Sequence, residues 1–183
     1  MDDSVYILQR IDKYFNKIAS DAHNTFIEGI GCDYYPTPIE FITNALTFIK
    51  EREPNFSGKT FLDVGCGIGN ICGVAAHMGL NAEGIELNPV LYNIGKEIYP
   101  EIRFHNVDIR DFNEYNKYDI IFYFAPMGTE NLERDLKIKV ENNIHIGAYV
   151  IISGWRFEKT KDDRFIKLYT DNDGFRDIWQ KIK

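Results

Sequence analysis

Residues 61 to 70 read Phe-Leu-Asp-Val-Gly-Cys-Gly-Ile-Gly-Asn, an apolar strand pattern running into glycine at every second position: Gly65, Gly67 and Gly69. Glycine carries no side chain to keep a ligand away and tolerates backbone angles that other residues resist, so a small molecule can rest on the main chain here. The spacing is not the dinucleotide fingerprint Gly-x-Gly-x-x-Gly, because the third glycine comes one residue early and position 70 is Asn. Glu86 follows Gly65 by twenty-one residues. An acid about 20 residues past such a loop takes the hydroxyls of a ribose. A carboxylate suits that role because its two oxygens only accept, and its hydrogen bonds are charge-assisted. The structural alternative for Glu86 is a helix-cap neighbour in a polar loop. Asp63 lies between apolar Leu62 and Val64, where a solvated charge is not expected. It is read as orienting the glycine turn or meeting an amino group of the ligand. Asp108 is placed to accept from an adenine amino group, with Leu87 and Ile109 on either side of the ring. The competing role for Asp108 is that of a plain turn residue.

These residues need strands that end at one edge of a sheet, because ligands of open α/β sheets collect beyond the carboxyl ends of the strands. The pattern supplies them. Strands are expected over 59–64, 81–86, 102–106, 118–124 and 147–153, with helices over 69–79, 89–98 and 128–142 between them. Asn88 and Pro89 mark a helix start as cap and first helical residue. Two more strands, 164–170 and 175–181, flank the turn Asp171-Asn172-Asp173-Gly174. Upstream, Val5, Leu8, Ile11, Phe15 and Ile18 fall at helical spacing over 4–20, and a Gly- and Pro-rich loop over 29–38 leads to a helix with Thr37 as its cap and Pro38 in its first turn. The expectation is an α/β, Rossmann-like, doubly wound sheet of about seven strands, mostly parallel with an antiparallel C-terminal hairpin, and an N-terminal helical extension. One domain spans 1–183, with 1–57 as helical cover and lid and 58–183 as the ligand-binding core.

Composition narrows the function. The chain has 183 residues, 44% of them hydrophobic, enough for a sizeable core. Its 28 carboxylates outnumber 21 Lys and Arg, for a formal charge of −7, which argues against non-specific nucleic-acid binding. Cys32, Cys66 and Cys72 show no framework spacing and read as reduced thiols, and the four histidines are too scattered for a zinc site, so no metal is expected. No apolar run reaches membrane-spanning length and the start is not a signal peptide, which makes a cytoplasmic location without membrane partners the expectation.

Asp63 to Asn70, Glu86, Asp108 and the strand Tyr118 to Phe124 together resemble, in order and spacing, the motifs of the class I S-adenosylmethionine methyltransferases over roughly residues 35 to 155. The resemblance implies S-adenosylmethionine as cofactor. It places the methionine part on the turn of Asp63, Gly65, Cys66, Gly67, Gly69 and Asn70, the ribose at Glu86, and adenine at Asp108 with Leu87 and Ile109. The loop after the fourth strand, Phe124-Ala125-Pro126-Met127, is implied to lie beside the reactive methyl. This chain lacks the Asp/Asn-Pro-Pro-Tyr-like box of DNA amino methyltransferases at that point, and Asp119 is at the wrong end of its strand for a catechol-type metal site.

Tyr35-Pro36-Thr37-Pro38, Glu86-Leu87-Asn88-Pro89, the Phe-x-Pro end of the fourth strand and Ser153-Gly154-Trp155-Arg156-Phe157 are similar to pieces of small single-domain protein-lysine methyltransferases, distant relatives of Dot1-type enzymes. That likeness implies that Tyr35 and Thr37 close over the cofactor. It also implies that Tyr35, Tyr123 and Trp155 form an aromatic channel for an amine, since aromatic faces attract cations. Tyr35, Tyr123 and Pro126 are thus the candidate catalytic residues. A protein side chain is the first expectation for the acceptor, a small molecule the second and RNA the third. A non-catalytic cofactor-binding partner subunit is the alternative class, and the glycine spacing disfavours an NAD-dependent oxidoreductase.

Overall fold

A computed structural model of the protein describes residues 37–153, 162–171 and 176–183, together with Val5. Apart from Val5, the helix expected over 4–20 lies outside the described residues, as do Tyr35 and Trp155. Helix α1 (Ile39–Lys50) is followed by β1 (Thr60–Val64), α2 (Asn70–His77), β2 (Asn81–Ile85), α3 (Pro89–Ile98) and β3 (Arg103–His105). A short 3-10 turn, Tyr115–Lys117, precedes β4 (Ile120–Phe124), α4 (Glu130–Asn143), β5 (Tyr149–Ser153), β6 (Phe165–Thr170) and β7 (Arg176–Lys181). The seven strands form one sheet in the order β3-β2-β1-β4-β5-β7-β6. All pairs from β3 to β5 are parallel, and β7 runs antiparallel to both β5 and β6. This is the doubly wound architecture with an antiparallel hairpin that the strand pattern predicts.

The sheet separates two cores because successive side chains of a strand point to opposite faces. Phe61, Ile120, Phe122, Tyr149 and Ile151 bury themselves under α1, α2 and α3. Leu62, Val64, Ile121, Tyr123, Val150 and Ile152 face the layer that contains α4. Covered on both sides, β4 and β5 read as nearly unbroken apolar runs, as internal parallel strands do. Asp119, at the amino end of β4, accepts from both the backbone N–H (2.8 Å) and hydroxyl (2.9 Å) of Thr60 and so ties the entry of β4 to that of β1.

The helix starts follow the sequence pattern unevenly. Asn88 caps α3, its Oδ1 accepting from Val90 N (2.8 Å) and Leu91 N (3.4 Å), with Pro89 in the first turn. Replacing Asn88 with alanine should cost about 1 kcal/mol, because a nearly buried cap leaves its amides unpaired. Denaturant unfolding checks this, and an unchanged midpoint would show the cap to be unimportant. The start of α1 is a correction. The helix begins at Ile39 with Pro38 at the cap position and no side-chain cap, so Thr37 does not fill that role. The first turn instead closes by Phe41 N donating to Pro38 O (3.2 Å).

Candidate active site: the glycine turn and the ends of β1, β2 and β4

Strand β1 delivers the chain to Gly65 at the carboxyl edge of the sheet, and the turn that follows is held almost entirely by backbone. Gly65 N and Cys66 N both donate to Ile85 O (2.9 Å each), Gly69 N donates to Cys66 O (2.9 Å), and Gly73 N donates to Gly69 O (2.9 Å) as α2 begins. Gly69 sits at φ +81°, the left-handed region, directly at the helix entry. A Cβ there would lie 2.5 Å from the Phe104 ring, so both the conformation and the space require glycine. Helix α3 closes on the same turn, since a Cβ on Gly95 would come within 3.2 Å of Ile68 O.

Glu86 joins the turn to the next loop. Its Oε2 accepts from Gly67 N (2.8 Å) and its Oε1 from Asn88 N (2.7 Å). Each oxygen accepts one amide hydrogen bond and the residue is half-buried, so the carboxylate is preorganised and still able to accept from hydroxyl donors. Burial, opposed by the amides it accepts from, raises its pKa. Asn106, which no motif singled out, fixes the segment from below: its Nδ2 donates to Glu86 O (2.8 Å) and Leu87 O (3.0 Å).

Asp63 is almost fully buried beneath the turn. Its Oδ2 accepts a long contact from Cys72 Sγ (3.9 Å). Burial first, and the Glu86 carboxylate second, push its pKa well above the usual carboxylate range. Cys66, in the turn implied to hold the methionine part, contributes backbone there and not its side chain. Its thiol turns inward beside Cys72 against Gly84, where a Cβ would lie 2.6 Å from Cys66 Sγ and 3.0 Å from Cys72 Sγ. Only its backbone belongs to the turn. Asn70 opens α2 and accepts from Tyr99 OH (3.1 Å), which pins the end of α3 to it.

Past β3, the structure gives Asp108 the turn role. Its carboxylate accepts from Arg110 N (2.8 Å), from Arg110 Nε through both oxygens (3.0 Å each) and from Arg110 Nη2 (2.6 Å). That fork with Arg110 holds its pKa below the ordinary value and leaves it engaged rather than open. Leu87 is half-buried, whereas Ile109 is buried in the second core with its carbonyl accepting from Tyr115 OH (3.1 Å). Leu87 therefore offers surface to a ring, and Ile109 mostly does not.

Strand β4 brings Phe124, Ala125 and Pro126 to the same edge, all half-buried. Pro126 packs against the first glycine, for a Cβ on Gly65 would meet Pro126 Cβ at 2.5 Å. Ala125 has φ +39°, the one non-glycine residue with positive φ among those described. Tyr123 is a correction. It is fully buried in the core on the α4 side, and its hydroxyl finds no hydrogen-bond partner among the described residues. Period-two alternation sends Tyr123 inward on the face opposite Phe122 and Phe124, so it presents no surface to an acceptor. Thr37 is half-buried just ahead of α1.

A sequence model of the methyltransferase-domain family matches residues 55–178. The chain belongs to that family: it is a methyltransferase domain of the class I, S-adenosylmethionine-dependent kind. Over 70 residues it is 34% identical to protein 235L of Invertebrate iridescent virus 6, a match that covers 37% of this chain and only 26% of the viral protein. Among solved structures it is similar to an RNA methyltransferase from Salinibacter ruber in complex with S-adenosyl-L-homocysteine, at TM-score 0.62 and 17% identity, covering 81% of this chain and 94% of that one. It is also similar to magnesium protoporphyrin IX methyltransferase from Synechocystis PCC 6803 with bound S-adenosylmethionine, at TM-score 0.64 and 15% identity, covering 100% and 98%. At such identities these two establish the shared fold. Among the described residues no helix is long and apolar enough to cross a membrane.

Proposed function

We propose that this chain binds S-adenosylmethionine across the carboxyl ends of β1, β2 and β4 and passes its methyl to an amine, with a protein lysine as the leading acceptor. The observation that carries the cofactor assignment is the Glu86 clasp. One carboxylate ties the glycine turn to the start of α3 and keeps a free lone pair on each oxygen for the two hydroxyls of a ribose. Bound cofactor supplies an electrophilic methyl on a sulfonium. The chain supplies place and charge. The turn from Gly65 to Asn70 lets backbone come close, and Leu87 offers an apolar surface. Asp63, held toward its neutral form by burial and by Glu86, ionises more readily once a cationic group sits beside it. Asp108 serves an adenine amino group only if Arg110 yields part of its fork.

Methyl transfer from a sulfonium is an in-line displacement, so holding the nucleophile on the axis contributes much of the rate. A base is needed only where the acceptor arrives protonated. The amine preference rests on a cleft of about 460 Å³ between α1 and the β6–β7 hairpin. It lies beside the carboxyl end of β5, where Arg176 pairs with Ser153. Phe41, Phe48 and Tyr169 line it, and Glu40 and Asp171 give its rim two acids against one Arg176. The Arg176 guanidinium already lies 4.8 Å from the Phe41 ring centre, so this wall is one on which a cation rests. A small amine is the second reading. RNA ranks behind both, given the formal charge of −7.

Calorimetry tests the cofactor reading. Glu86→Ala should weaken S-adenosylhomocysteine binding by about 1.5 to 3 kcal/mol, the range for a hydrogen bond to a charged group. A folded variant of unchanged affinity would remove Glu86 from the ribose role. Incubation with methyl-labelled S-adenosylmethionine and lysine-rich protein, polyamine or transfer RNA tests the acceptor. Label in the protein fraction is expected, and label confined to RNA would overturn the amine reading.

A further inference from the structure

We propose that Glu133, on the buried stripe of α4, is a positioning residue that sets the loop after β4 and, through it, the first glycine of the cofactor turn. The inference rests on the cofactor reading above and deepens it. Glu133 has no exposed surface, and its Oε1 accepts the backbone N–H of Met127, itself buried. Met127 follows Pro126, and Pro126 occupies the space that a Gly65 side chain would need. One continuous contact path thus runs from α4 through Met127 and Pro126 to Gly65. Between these anchors and β4 lies Ala125 at φ +39°, a conformation that persists only where its surroundings over-determine it. The two anchors, Pro126 against Gly65 and Met127 N–H on Glu133, supply that constraint.

Packing alone does not account for a carboxyl group here. Glu133 shares its face of α4 with Leu136 and Val140, both buried and apolar. Among the described residues its Oε2 is buried without a hydrogen-bond partner and its carboxylate has no ion pair, so the site bears a desolvation cost that an apolar residue would avoid. What the glutamate adds is an acceptor for the Met127 amide, which would otherwise be a buried unpaired donor. The loop so fixed is the one implied to border the reacting methyl, where small displacements are costly.

Glu133→Met keeps the volume and loses the acceptor, whereas Glu133→Gln keeps the amide-accepting oxygen. The full chain is titrated with S-adenosylhomocysteine, and amide hydrogen exchange is followed at Met127, Gly65 and the interior of α4. The Met variant is expected to bind about tenfold more weakly, with faster exchange at Met127 and Gly65 and unchanged exchange within α4. The Gln variant keeps the bond and is expected to stay within about twofold of wild type on both readouts. If the Met variant does not fold, Glu133→Asp, one methylene too short for the bond, takes its place with the same expectation. Unchanged exchange at Met127 in the Met or Asp variant overturns the proposal, as does weakening in Gln equal to that in Met. Wild-type protein that binds no S-adenosylhomocysteine would end the cofactor reading instead, and exchange at Met127 and Gly65 would still decide the path on its own.

Discussion

Gly69→Ala should destabilise the protein by about 2 to 5 kcal/mol, enough to unfold much of it if the fold has ordinary marginal stability. Two costs add. A left-handed conformation is about 1–2 kcal/mol worse for a residue with a Cβ, and Gly69 holds φ +81°. The added methyl would also lie 2.5 and 2.6 Å from two carbons of the Phe104 ring, with Tyr99 only 3.6 Å away on another side. Phe104 is buried in the core, so the ring moves only by displacing its neighbours, and overpacking of this kind costs about 1–3 kcal/mol. Gly58→Ala is the matched control. It has nearly the same φ, +83°, and nothing within 4 Å of the new carbon, so it should show the conformational cost alone. Chemical denaturation of both variants separates the two. Equal losses would mean that Phe104 gives way freely and that the turn is less tightly held than the distances imply.

Glu133→Gln should gain stability relative to wild type as pH rises, by about 2 to 3 kcal/mol between about pH 5 and pH 8. Burial lifts the Glu133 carboxyl to about 7 from its ordinary 4.5, against the single opposing hydrogen bond from Met127. Tyr123, on β4, is the titratable group facing it from the sheet, and both Glu133 Oε2 and the Tyr123 hydroxyl lack partners among the described residues. A raised carboxyl pKa means that the folded state binds more protons than the unfolded state. Its stabilising contribution is therefore full below about pH 4.5 and is lost as pH climbs through about 7. Each tenfold difference in proton affinity between the two states is worth about 1.4 kcal/mol, and glutamine does not titrate. Unfolding free energies of the two proteins should thus diverge with pH. Parallel curves would show that Glu133 titrates normally and that water reaches it.

The fold is legible in the sequence because its signals are redundant. Glycine at alternate positions after an apolar strand, Asn88 before Pro89, and turn residues between two alternating runs each mark a boundary, and together they define five parallel strands and a closing hairpin. Much of the site is not legible, for reasons that are local and physical. Tyr123 and Phe124 are adjacent, but a strand sends them to opposite faces, and composition does not say which face meets the cleft. Asp108 has Arg110 two residues away, and only the folded loop shows that the pair closes on itself. Cys66 lies in a ligand-type turn, yet the absence of a side chain at Gly84 gives its thiol a place in the core. Glu133 does leave a trace. It stands three residues before Leu136 and seven before Val140, on the stripe where an uncharged residue is expected, and a lone acid at such a place is a reason to look for the donor it serves.

The position of β7 bears on how the molecule is made. It follows β6 in the chain but lies inside the sheet, between β5 and β6. Until it arrives, the apolar strand Tyr149–Ser153 presents an unsatisfied ladder edge, and Phe165–Thr170 has nothing to zip against. A nascent chain therefore carries an adhesive flank until residues 176–181 emerge, the kind of exposure that invites aggregation. Yield in the cell should then depend less on the strength of the finished core than on how promptly Arg176–Lys181 inserts, and chaperone demand should concentrate in that interval.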